Sequence, residues 1–142
     1  MSVFVFQSIP ERYDLRKAIR PGNNDTWYAT RYRSEMHPND IVYFWMGGEE
    51  HFRGLYGWGR LTSEPYLKEK WDSHGIDVKY VVKFKHPILS RSIREEPDLA
   101  EMLIFRAPQA TNFLLTQKQA KRLGRLVRES GEEAPPAGEV AA

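Results

Sequence analysis

The chain has 142 residues, 41% hydrophobic and 28% charged, which suits one globular domain with a real core. It contains no cysteine, so disulfides, Cys-ligated zinc and thiol catalysis are excluded and a reducing cytoplasm is the expected home. The formal net charge is +2, but Glu132, Glu133 and Glu139 all follow Ser130, so residues 1–130 carry +5, a mild basic bias that permits a polyanionic partner without requiring one. No apolar run reaches the ~18 residues of a membrane-spanning helix, and the N-terminus lacks the basic-then-apolar pattern of a secretion signal.

In chain order, Val3–Phe6 reads as a first strand, broken at Ile9-Pro10. Asp14 precedes a short helical stretch to Arg20, stopped by Pro21-Gly22. One helical turn is predicted between Thr30 and Met36, ended by His37-Pro38. Residues 41–46 and 52–61 form an antiparallel hairpin around Gly47-Gly48. Strict alternation in its second strand puts Tyr56, Trp58 and Arg60 on one face, and the spacing of Gly54, Gly57 and Gly59 leaves room for a packed helix or a ligand. Lys79–Lys85 alternates as a half-exposed strand, with Tyr80, Val82 and Phe84 on one side and Pro87 as its end. Met102–Phe105 reads as a strand and Phe113–Leu115 as another. The last helix opens on a T-x-x-Q capping box, Thr116 and Gln119, and carries Ala120, Leu123, Leu126 and Val127 at helical spacing. From Gly131 the Gly/Glu/Ala/Pro composition predicts a disordered tail, so the domain is expected over residues 1–130. Strands without regular crossover helices imply an α+β architecture built on a curved, mainly antiparallel sheet or small barrel.

Enzyme motifs are missing: no P-loop, no dinucleotide glycine fingerprint, no nucleophile elbow, and four scattered histidines with no metal-ligand spacing. The informative feature is aromatic. Trp27, Trp45, Trp58 and Trp71 fall within 45 residues, and Trp27 and Trp71 stand at loop edges among polar and charged residues rather than inside apolar runs. That placement predicts a partly open aromatic pocket for a flat or methylated ligand. Arginines flank these segments, Arg31 and Arg106 among them, as expected where phosphates are gripped beside stacked bases.

Several segments together resemble the EVE domain, a PUA-like family related to the YTH domain, over roughly residues 3–128. They are Gln7-Ser8-Ile9-Pro10 after the first strand, Thr26-Trp27-Tyr28-Ala29-Thr30, the run from Met36 to Trp45, Gly54-Leu55-Tyr56-Gly57-Trp58-Gly59, Ser63-Glu64-Pro65-Tyr66, and the run from Arg106 to Phe113. The resemblance implies a PUA-like curved β-barrel with flanking short helices and a C-terminal helix. It also implies a binding domain, not an enzyme, that flips a modified base into an aromatic cage and needs no cofactor or metal. The implied ligand is a modified cytosine in DNA, such as 5-methylcytosine. The alternatives are an RNA-modification reader, or a small-molecule or nucleotide-binding protein using the same pocket; a restriction or RNA-modification effector is the implied partner.

Carried onto this sequence, the resemblance makes Trp27 the firmest pocket wall and Trp45 or Trp71 the second. Tyr28, Ser8 and Gln109 would test the base edge, and Arg31 and Arg106 would hold phosphates. The chain departs from the family where Ala29-Thr30-Arg31 replaces a Val-Arg-Asn triplet, where Asn39 replaces a turn glycine and where Ala110 replaces a late glycine.

Overall fold

Seven strands make one curled mixed sheet, seen in a computed structural model that describes residues 1–107 and 109–140. The strands are β1 (Val3–Ser8), β2 (Asn24–Tyr28), β3 (Ile41–Met46), β4 (Gly54–Leu61), β5 (Tyr66–Lys68), β6 (Ser73–Leu89) and β7 (Asn112–Leu114). Their order across the sheet is β2-β6-β4-β3-β1-β7, with β5 also paired to β6. All neighbours are antiparallel except β1 and β3. The helices are short apart from α3: α1 (Leu15–Ala18), α2 (Ser90–Arg94), α3 (Gln117–Glu129) and α4 (Ala137–Val140). This is the curved α+β sheet the sequence predicts.

Every residue of β3 is buried, because both faces of the sheet are covered. One face holds Val5, Tyr43, Trp45, Trp58, Phe84 and Phe113 under α3, whose Ala120, Leu123 and Val127 pack down on it. The other holds Phe4, Phe6, Trp27, Phe44, Tyr56 and Tyr80 with Leu15 of α1. Local signals fix the helix ends. The Asp14 carboxylate accepts from the Arg16 amide at the start of α1. The Thr116 and Gln119 capping box closes as expected at the start of α3, a device worth about 1 kcal/mol.

The paired strands depart from simple alternation. Register shifts between Leu55 and Gly57 and between Trp58 and Gly59 change the phase of β4 and β6. Tyr56 and Trp58 therefore serve opposite faces rather than the same one, and so do Tyr80 and Phe84. The strand glycines accommodate neither a helix nor a ligand. A Cβ at Gly57 would lie 2.2 Å from the Val82 carbonyl oxygen and one at Gly59 would lie 2.1 Å from that of Lys79, so the space belongs to the adjacent strand's backbone.

Three other expectations are corrected. Pro87 does not end its strand: Leu55 pairs with Ile88 and Gly57 with Lys83, so residues 84–87 bulge away from β4 and a missing N–H costs no ladder bond there. Residues 103–105 form a 3₁₀ turn, not a strand, closed by bonds from the Phe105 amide to the Met102 carbonyl and from Arg106 to Leu103. Residues 131–140 are not loose. Glu132 accepts from the Lys85 and His86 amides, the Glu133 carbonyl accepts from the Trp58 indole, Arg60 pairs with Glu139 at 2.7 Å, and Val140 is buried.

Candidate functional site

Trp27 is the centre of the site. The polar residues before it close a turn at Gly22 (φ 89°), and Asn24–Tyr28 then pairs with β6, so the indole stands on a strand rather than a loop edge. Its back packs on Phe44 and Phe6, at centroid distances of 5.3 and 6.1 Å, and its flank on Tyr13 at 5.8 Å. Only 6% of the residue is exposed, and that part lines a cleft of about 560 Å³, inside the ~300–1,000 Å³ range of small-molecule sites.

The rim beside it is also aromatic. Trp71 ends a 3₁₀ turn after β5, and its ring lies 4.5 Å from that of Tyr28 at 34°. Lys68 holds its ammonium 4.5 Å above the same indole. The opposite wall comes from the end of β1, with Gln7, Ser8 and Ile9, and from the segment entering β7, with Gln109, Ala110 and Thr111. These two are sewn together by bonds from the Gln7 amide to the Thr111 carbonyl and from Gln7 Nε2 to the Ala110 carbonyl, both at 2.8 Å.

Buried polar atoms set the geometry. Asp25 accepts from the hydroxyls of Tyr80, at 2.7 Å, and Tyr13. Burial, and then the Asp25 hydrogen bond, raise the Tyr80 phenol well above its ordinary value, so it stays protonated. The Asn112 side chain, fully buried, donates to the Tyr28 carbonyl at 2.9 Å and accepts from the Thr30 amide at 2.8 Å. It thereby pins the chain just beyond the Trp27 wall.

Of the residues expected at the pocket, Trp27, Trp71, Tyr28, Ser8 and Gln109 line this one cleft. Ser8 is already engaged, its hydroxyl donating to the Tyr13 carbonyl at 3.0 Å, which leaves it an acceptor toward the cleft. Trp45 lies elsewhere. It is 1% exposed on the α3 face, edge-on to Phe105, because neighbours on a strand point to opposite faces and Phe44 takes the cleft side. Neither expected phosphate ligand lines the cleft: Arg31 lies over the Tyr32 ring at 5.5 Å and Arg106 pairs with Glu101. Pro108, within the segment bearing Gln109, lies outside the described residues.

Sequence reading missed Arg12, Tyr13, Thr26 and Asn112. Arg12 and Tyr13 precede a four-residue helix and carry no motif, and Asn112 shows itself only through its partners. A weak cue existed in Asn112, a polar residue ahead of an apolar run.

A family model described as the EVE domain matches residues 2–126. The chain belongs to the EVE domain family. Solved structures share its PUA-like fold at low identity. A hypothetical protein from Leishmania major superposes with a TM-score of 0.74 at 16% identity, covering 93% of this chain and 98% of that one. Human THYN1, solved in complex with DNA containing 5-methylcytosine, superposes with a TM-score of 0.71 at 17% identity, covering 95% of this chain and 100% of that one. A protein from Rhodopseudomonas palustris gives 0.69 at 18% identity, with 89% and 95% covered. No curated protein sequence matches.

Proposed function

We propose that this EVE domain is a binding module that reads a modified base in nucleic acid, a C5-methylated or hydroxymethylated cytosine in DNA, by taking the extruded base into the Trp27 cleft. The observation that carries this is the meeting of Trp27 and Tyr28 of β2 with Trp71, from the turn after β5, around one concave cleft. The THYN1 complex, a neighbour of the same fold with methylated DNA bound, supports the choice of ligand.

Flipping a base costs a few kcal/mol, and one aromatic stack returns about 1–3 kcal/mol. Net affinity must therefore come from the base edge and the phosphates. Gln109 supplies a free amide at the cleft, with no hydrogen bond among the described residues. Arg12 and Lys68 supply positive charge at its margin, a better-placed pair for flanking phosphates than Arg31 and Arg106.

Burying one added methyl contributes about 0.8 kcal/mol, roughly fourfold in affinity. The test is a fluorescence titration with oligonucleotides of one sequence carrying cytosine, 5-methylcytosine or 5-hydroxymethylcytosine at one position, with the free nucleosides in parallel. Preference for a modified strand by fourfold or more is expected. Equal binding of all three strands would end the reading, and tighter binding of the free nucleosides would move it to a small-molecule site.

A further inference from the structure

Helix α3 carries both paired and unpaired cations. Lys118 pairs with Asp98, and Arg122 is held by both Glu96 and Glu129. Lys121, Arg125 and Arg128, spaced i, i+4 and i+7, are exposed and make no ion pair among the described residues. Three like charges on one helical stripe repel, and none of them has an ion-pair partner among the described residues. They border a separate hollow of about 200 Å³ between α3 and α4, closed on the far side by Ala137 and Val140.

The floor of the hollow is Gly124, the sole glycine of α3. A Cβ there would lie 3.9 Å from the Tyr43 hydroxyl and 3.9 Å from both terminal nitrogens of Arg128. The Tyr43 hydroxyl reaches this point from β3, fully buried and without a hydrogen-bond partner among the described residues. An unpaired buried hydroxyl is costly, and native structures rarely tolerate one without a use or a missing partner. Here two guanidinium forks and an ammonium line one opening, and the Tyr43 hydroxyl lies buried behind its Gly124 floor. Planar guanidinium forks match phosphate oxygens. The volume equals several waters at ~30 Å³ each, room for one tetrahedral oxyanion with part of its hydration shell.

The geometry points to a second ligand site: the hollow over Gly124 binds a phosphate group, either a free phosphate or a nucleic-acid backbone phosphate, through Lys121, Arg125 and Arg128. It lies under the face of the sheet opposite the Trp27 cleft and does not depend on base reading.

The test is amide NMR of the full chain titrated with inorganic phosphate, the ionic strength held constant with chloride. Saturable shifts at Lys121, Gly124, Arg125 and Arg128 are expected, absent in the Arg125→Gln, Arg128→Gln double variant and retained in Trp27→Ala. Both arginines are exposed, so the double variant keeps the fold. An unmodified DNA duplex then identifies the source. If a backbone phosphate occupies the hollow, the double variant lowers the slope of log K against log salt by about one, at ~0.9 per phosphate. If free phosphate is the ligand, that slope is unchanged. No saturable shift on α3, or the same shifts with chloride alone, would overturn the site, whatever the Trp27 cleft binds.

Discussion

The indole N–H of Trp27 donates to the Tyr80 hydroxyl at 3.0 Å. The ring's one polar atom is thus spent inside the core, and what it offers the cleft is its face. Trp27→Phe is expected to retain ligand binding within about tenfold, because a stacking face survives. Trp27→Ala should lose the stack, about 1–3 kcal/mol or 5- to 150-fold, and a further ~3–5 kcal/mol of stability from the cavity left behind. Fluorescence anisotropy with a labelled oligonucleotide and urea denaturation separate the two effects.

Tyr80 links Trp27 to Asp25, so Tyr80→Phe leaves the indole N–H unsatisfied and removes a donor from the carboxylate. A loss of about 1–3 kcal/mol is expected, read as a lower urea midpoint at unchanged m-value.

The same phenol and that of Tyr43 are held above their ordinary value of 10.0, mainly by burial. The folded state therefore releases these protons later than the unfolded chain does. The stability they contribute is complete below about pH 10 and falls as pH rises beyond it. Alkaline titration should show these tyrosinates only together with loss of near-ultraviolet circular dichroism. A buried phenol ionising in a still-folded chain would contradict the burial argument.

Asn112→Ala should be a double loss. The Tyr28 carbonyl and the Thr30 amide would both lose a buried partner, at about 1–3 kcal/mol each before relaxation. The freed segment should also weaken ligand binding through Tyr28. Thermal denaturation and the same anisotropy assay report the two, and a stability loss with unaltered affinity would show that Asn112 does not position the rim.

Trp45→Phe should leave binding unaltered. Its indole N–H is buried without a partner among the described residues, and its ring packs on the face away from the cleft. A tenfold loss of affinity in that variant would place it in ligand recognition after all.

The two pocket indoles were legible in the sequence because polar neighbours are unusual company for tryptophan in a core. Trp45 was not, since β3 is buried on both sides and nothing local says which face a given residue takes. The alternation of β4 and β6 also misled, because bulges are set by pairing with a distant strand. Gly57 shows this well: its neighbour sequence suggests a gap for a ligand, while the Val82 carbonyl fills that gap. The capped helices were readable because their signals lie within one turn of the chain.

The carboxylate of Glu132 fills a gap in the backbone bonding of the sheet. Where β6 leaves β4, the amides of Lys85 and His86 have no strand neighbour, and Glu132 occupies both. Consecutive amides of a regular strand point to opposite edges, so two that converge on one carboxylate mark the bulge at residues 84–87. By filling them, Glu132 ties the C-terminal segment to the sheet where the β4 ladder is interrupted, so removing that segment would leave two backbone donors to the solvent.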